Sequence, residues 1–309
     1  MCAVVSTGAA NHPPEFDTDA VDFAISFNGE RAAYRDLSTS VLPGATLSLE
    51  AADGPPGDYD ATASAGMLIR RGTRAWEWRA PKVAGLSEIK IDGPAAKDTI
   101  TLHVFVMVPA RNVRDGALNG YRIGRYPARP LNGNPVYAAP AGFIEVTRDN
   151  QDTKVSPHFR LRQFLCKEDT SKTFPKYVVL NDRLPLKLEA ILEGLNAAGY
   201  HADTLHVMSA YRTPYYNHAI GDVRYSMHQW GSAADIFIDT AETGMMDDLN
   251  HDGRIDADDS RLLFDLIERM LAGPAFARLQ GGMGWYRGTS AHPPFVHVDV
   301  RGTKARWNG

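Results

Sequence analysis

Ser226-Met-His-Gln-Trp-Gly-Ser-Ala-Ala-Asp235 is the stretch that decides how this chain is read. It offers an imidazole, a turn built on Gly231 and small residues, and then a carboxylate within the apolar alternation Ala234-Asp-Ile-Phe-Ile238. Such a turn brings a loop His back against the first residues of a strand. Ser209-Ala-Tyr-Arg-Thr-Pro-Tyr-Tyr-Asn217 precedes it. Phe295-Val-His-Val-Asp-Val300 answers it near the C-terminus, with a period of two that places His297 and Asp299 on one strand face. Two neighbouring strands then present His228, Asp235 and His297 together, a set that suits Zn²⁺ and leaves its fourth position for water. Taken singly each residue is ordinary, since a His beside a strand is more often hydrogen-bonded structure and an Asp there a turn acceptor. The combination carries the reading.

The pattern Ser-x-Tyr-Arg-Thr-Pro-x-x-Asn, then Ser-x-His-x-x-Gly-x-Ala-x-Asp, then His-x-Asp resembles the zinc D-Ala-D-Ala metallopeptidase superfamily, which also holds lysostaphin-type and hedgehog-type domains. The closing Phe-Val-His-Val-Asp-Val-Arg-Gly-x-x-x-Arg-Trp is similar to the YcbK-like branch of periplasmic peptidoglycan peptidases. The resemblance spans residues 155–309, half of the chain. It implies an α+β zinc-peptidase domain, an antiparallel sheet with flanking helices, and an exported protein of the periplasm or cell envelope. The implied reaction is Zn²⁺-dependent hydrolysis of D-amino-acid bonds in peptidoglycan stem peptides or cross-links, by a carboxypeptidase or an endopeptidase. Arg212 offers a planar two-point contact for a substrate carboxylate, although an Arg considered alone is as readily a brace for its loop. By resemblance Ser226 hydrogen-bonds polar groups of the substrate and Asn217 shapes the loop.

One family element is missing. Relatives carry a Glu four residues before the last zinc His, or a His two residues before it, and here those positions are Pro293 and Phe295. The remaining acid-base candidates are His292 and Asp299, the latter equally readable as the acceptor that orients a zinc-bound imidazole. That gap sustains a rival of another class, a catalytically silent module that keeps the metal and the peptide groove.

A second metal pattern follows. Asp248-Leu-Asn-His-Asp-Gly-Arg-Ile-Asp-Ala-Asp-Asp259 fits the calcium loop of an EF-hand, with oxygen donors from Asp248, Asn250 and Asp252, and Gly253 at the sharp turn. Arg254 offers its carbonyl, and Asp256 and Asp259 occupy the last two ligand positions. The loop resembles those of dockerins, and the bland alternative is an acidic solvated loop. Ca²⁺ here would be structural, capping the helix expected over 260–271.

Composition bounds the rest. A chain of 309 residues has room for two domains, and its net charge of −4 gives no basic field to recommend nucleic acid. No apolar run approaches the roughly 20 residues that span a bilayer. The two cysteines, Cys2 and Cys166, are too few for a disulfide framework. Cys2 reads either as the lipid-bearing residue of an exported lipoprotein or as an incidental terminal Cys. Residues 1–15 read as a tail. Over 16–110, short β-rich runs between Gly, Pro and Asp clusters suggest an antiparallel sandwich of immunoglobulin-like type, with Trp76 and Trp78 on one face as a core plug or a sugar platform. Residues 111–154, rich in Gly, Pro and Tyr, read as an ordered connector. Ser156-Pro157 reads as a helix start, and a second amphipathic helix is expected from Arg183 to Ala198, ended by Gly199.

Overall fold

Alternation in strands such as Thr46-Leu-Ser-Leu-Glu-Ala-Ala52, whose Leu and Ala side chains are buried in turn, builds the first half of the computed structural model. The structure describes residues 16–94, 97–168 and 173–309; Cys2 and the tail lie outside them. The strands are β1 (Ala20–Phe27), β2 (Glu30–Tyr34), β3 (Asp36–Val41), β4 (Thr46–Ala52), β5 (Asp60–Ala63), β6 (Met67–Arg70), β7 (Ala75–Arg79), β8 (Gly85–Asp92) and β9 (Thr99–Val106). They form one sheet in the order β2-β1-β4-β7-β6 and another in the order β3-β9-β8-β5. Phe23, Ile25 and Leu49 of the first and Ile89, Leu102 and Val104 of the second share one core. Trp76 and Trp78 are buried in it, and Trp78 Nε1 donates to the Ala65 carbonyl at 2.8 Å, so the pair fills the core and presents no sugar platform.

The sandwich is not antiparallel throughout, because β3 and β9 run parallel over Asp36–Val41 and Thr101–Val106. β3 reaches its sheet by leaving β2 at Arg35 without a hairpin, so no turn imposes an antiparallel partner.

Residues 111–154 are built into the second half. Gly142–Val146 pairs with Val108–Pro109 on one side and Lys176–Val178 on the other, and Ile144 and Val146 enter the large C-terminal core. Ser156 starts no helix. Lys154–Ser156 and Phe159–Arg160 form a two-stranded hairpin across Pro157, followed by a single 3₁₀ turn over Leu161–Phe164. Burying Phe159, Leu161 and Phe164 together outweighs the local capping preference, and the Ser156 hydroxyl caps nothing.

Helix α1 (Arg183–Ala197) buries Leu184, Leu188, Ile191, Leu192 and Leu195 completely, each burial contributing ~2 kcal/mol relative to exposure. Gly199 follows it at φ +94°. Short helix α2 (Pro214–Ala219) is capped by the Thr213 hydroxyl, and α3 (Ala257–Met270) by Asp256. The helices flank a five-stranded sheet in the order His206–Ser209, Ala233–Phe237, Phe295–Asp299, Gly282–Tyr286 and Ala305–Asn308. Only the last pairing is parallel. Ala234, Ile236, Val296, Val298 and Met283 join Leu188 and Leu263 in the core, which leaves Asp235, His297 and Asp299 on the opposite face. Arg183 on Glu30, Asp182 between Asn28 and Thr39, and Tyr34 on Glu193 bond the sandwich to α1.

Candidate metal centre

Register alone puts two of the donors together, because Asp235 and His297 face each other directly in the antiparallel pair of the central strands. His228 arrives on the 3₁₀ turn Met227–Trp230, which Gly231 closes in the left-handed conformation at φ +60°. Only glycine fits there, since a Cβ would meet the Val179 carbonyl oxygen at 1.9 Å. His228 Nε2 lies 3.1 Å from His297 Nδ1 and 3.2 Å from Asp235 Oδ1, and His297 Nδ1 lies 2.9 Å from the same oxygen. All three side chains are buried.

Each ring has an acceptor on its far side. His228 Nδ1 sits 2.6 Å from the Ala210 carbonyl, which only accepts, so Nδ1 carries the proton and Nε2 turns a lone pair inward. His297 Nε2 faces the Asp299 carboxylate at 3.4 Å, an acceptor for the ring proton when Nδ1 turns its lone pair to an ion. Two imidazole nitrogens and a carboxylate oxygen thus converge on one point, and all three can turn lone pairs to a single cation there. The three atoms lie about 1.8 Å from the centre of their triangle. That is just inside the ~2.0–2.1 Å reach of Zn–N and Zn–O bonds, so one ion could be held by all three. The residues present fit Zn²⁺.

Surrounding charges hold the set in place. Burial works against the Asp235 charge, but His228 and His297 outweigh it and keep the carboxyl well below the ordinary range. Burial, assisted by Arg212, lowers the His228 pKa and keeps that ring neutral. Burial opposes charge on His297 as well, yet hydrogen bonds to Asp235 and Asp299 raise its pKa, so the field at the site favours positive charge. Arg212 spends its guanidinium on Ser209 through Nε, on Asp222 through one terminal nitrogen and on Asp235 Oδ2 through the other. Its amide donates to the His228 carbonyl at 3.1 Å, which ties the two motif loops together. Asp299, wholly buried, accepts from Gly282 N and Arg301, and α1 places the buried Lys187 Nζ 2.8 Å from its carbonyl oxygen.

The other sequence candidates are placed as follows. Ser226 directly precedes the His228 turn, and Asn217 on α2 donates to the Val223 carbonyl at 3.0 Å. His292 packs edge-on against Phe295 at 5.1 Å and hydrogen-bonds the Pro293 carbonyl. It borders a cavity of about 790 Å³ shared with Ile255 and Asp256 of the acidic loop. In that loop Asp248 accepts from Asp252 N and Gly253 N, and Asn250 from Asp252 N. Asp252 accepts from Arg254 N, and Asp259 from Leu249 N, Asn250 N and Asp256 N.

Two residues beside the site were given no role by the sequence reading. Tyr286, opposite Phe295 in the sheet and stacked on it at 4.5 Å, accepts Trp307 Nε1–H at 2.7 Å. The Trp307 ring lies 5.2 Å from that of His297, over Gly284, where a Cβ would strike the indole at 2.2 Å. The available signal was Gly282-Met-Gly-Trp-Tyr286, a strand with bare glycines on one face and a Tyr next in that phase.

Residues 157–252 match the family model for Peptidase M15, which supports a zinc metallopeptidase acting on peptidoglycan-related substrates. The match covers less than a third of the chain and includes His228 and Asp235. No curated protein matches the chain. Among the described residues, no helix is long and apolar enough to cross a membrane.

Proposed function

We propose that this protein is an exported zinc peptidase that cleaves D-amino-acid bonds of peptidoglycan, as a cross-link endopeptidase or a D-Ala-D-Ala carboxypeptidase. The observation that carries the reading is the convergence of three buried ligand atoms on one point, from His228, Asp235 and His297. Zn²⁺ held there supplies a Lewis acid for the scissile carbonyl and acidifies the attacking water. Arg212 neutralises Asp235 from behind and fixes its rotamer, while Asp299 and Arg301 hold the His297 ring.

Proton handling divides between two groups. Burial and the charges of Asp235 and Asp222 raise the Tyr286 pKa, so at neutral pH the phenol keeps its proton. Its oxygen already accepts from Trp307, which suits its O–H to donate toward negative charge developing on the substrate. His292 donates through Nδ1 to a carbonyl and therefore carries its lone pair on Nε2, as a general base requires. Asp299 has its oxygens committed to Arg301, Gly282 and His297 and serves better as an orienting acceptor. Pro293 and Phe295, where relatives carry the acid or base, favour the second reading, a module that binds the peptide without cutting it.

The Asp248–Asp259 loop is proposed to hold Ca²⁺ in a structural role, with Asp248, Asn250, Asp252, Asp256, Asp259 and the Arg254 carbonyl as donors. Its support is the match of residue types to that loop, with the loop's own amides holding the Asp248, Asp252 and Asp259 carboxylates.

Purified sacculi incubated with the protein, with and without a zinc chelator, test the main reading. Chelator-sensitive loss of cross-linked dimers, absent in His228→Ala, marks the endopeptidase, and release of terminal D-Ala marks the carboxypeptidase. Retention on sacculi with no product from the wild type would replace hydrolysis with binding.

A further inference from the structure

Gly284 lies between His297 and Trp307 in the sheet, opposite the first in an antiparallel pair and beside the second in a parallel one. Partners in register point to one face, and because the glycine leaves its place bare the indole reaches across it to within 5.2 Å of the His297 ring. A Cβ at Gly284 would strike the indole at 2.2 Å. One at Gly282 would meet the indole at 2.8 Å and the Arg301 guanidinium at 2.9 Å. Arg301 lies 5.6 Å from the indole centroid and also holds the Asp299 carboxylate, so the seat of Trp307 and the group that orients His297 share one guanidinium.

Tyr286 follows two residues after Gly284, on the same face. Three contacts hold its phenol. Phe295 stacks on the ring at 4.5 Å with the planes 9° apart, the Gly309 backbone abuts the ring so closely that a Cβ there would lie 2.2 Å from it, and Trp307 Nε1 donates to the oxygen at 2.7 Å. Among the described residues the phenol proton has no acceptor, and the side chain is only partly buried. A phenol hydroxyl is free to rotate between two planar settings, and a donor seated on one side of its oxygen leaves the proton the other. We propose that Trp307 is a positioning residue, whose indole N–H fixes the Tyr286 hydroxyl so that its unspent proton points in one direction. A donor oriented before the reaction needs no reorganisation when negative charge develops on a substrate oxygen. That consequence rests on the peptidase reading, whereas the fixing of the hydroxyl does not.

Two variants of the zinc-loaded full chain test the proposal. Trp307→Phe keeps an aromatic ring over the bare glycines and removes the N–H, whereas Tyr286→Phe removes the hydroxyl and keeps the stack on Phe295. Burial raises the Tyr286 pKa, and the indole N–H works against that rise. With ¹³C-labelled tyrosine, the ring titration assigned to Tyr286 by its loss in Tyr286→Phe is expected to move upward in Trp307→Phe. A titration that stays in place overturns the proposal. On a stem peptide, Tyr286→Phe is expected to lower kcat by about 100- to 1,000-fold and Trp307→Phe by at least about tenfold, each with KM within about twofold of wild type. The double variant should be no slower than Tyr286→Phe, because Trp307 acts through that hydroxyl, and losses that multiply overturn the positioning role. A wild type that leaves the peptide intact while Trp307→Phe moves the titration defeats the peptidase reading alone. Cleavage with an unmoved titration defeats this inference alone.

Discussion

The candidate zinc centre and the acidic loop proposed to hold Ca²⁺ are assembled on opposite principles. Asp248–Asp259 is one contiguous loop whose carboxylates are held by amides no more than ten residues away. His228, Asp235 and His297 come from segments up to 69 residues apart, joined by the register of a sheet and by one left-handed turn. Among the described residues, theirs is the group of three such donors lying within 4.8 Å of one another. A local site needs only turn chemistry, while a distributed site needs the whole sheet, the helix behind it and the charges that balance it. Damage to the scaffold should therefore reach the zinc set and spare the loop.

The largest expected effect concerns Lys187, which is buried behind the strand carrying His297. Burial pushes its pKa down from 10.5 to about 8. Between those two values the unfolded chain holds more protons than the folded one, so stability rises with pH across that window and the cost of the buried charge is fully present below it. Urea unfolding of the wild type and Lys187→Met at pH 7.5 and 10.5 should show the wild type gaining on the variant by about 3 kcal/mol over the interval. A pH-independent difference would mean that the distributed site does not pay for its scaffold in buried charge.

Asp299→Asn comes next. It weakens the hold on His297 without touching a donor atom, and chelator competition should show zinc affinity falling by about 10- to 100-fold with the calcium response unchanged. Unaltered zinc affinity would remove Asp299 from the site. The smallest effect is that of Asp248→Ala, which should lower the melting temperature in saturating Ca²⁺ by about 3 °C and leave zinc affinity within about twofold of wild type. A zinc affinity that fell with calcium loss would show the two sets to be coupled and break the contrast.

How much could be read beforehand follows the same division. The α1 helix was legible because Leu184, Leu188, Ile191, Leu192 and Leu195 repeat at helical spacing and Gly199 follows. β2, β3 and β5 were not, since Glu-Arg-Ala-Ala-Tyr, Asp-Leu-Ser-Thr-Ser-Val and Asp-Ala-Thr-Ala lack a clear apolar alternation and pair by virtue of their neighbours. Ser156-Pro157 misled because a cap preference is worth ~1 kcal/mol, less than burying three large side chains. Arg212 was legible as either a substrate clamp or a brace for its loop, and only the fold chose the brace, since its partners Asp222 and Asp235 lie 10 and 23 residues away.

Residue chemistry and spacing, legible in the chain itself, selected the ligand types, the strand phase that pairs His297 with Asp299, and the acidic loop. Only the folded molecule decided which nitrogen of each imidazole faces inward and that Tyr286 and Trp307 border the site. Those outcomes depend on which far-off carbonyl, carboxylate or glycine lies opposite each side chain, and a one-residue change of register would reassign them all.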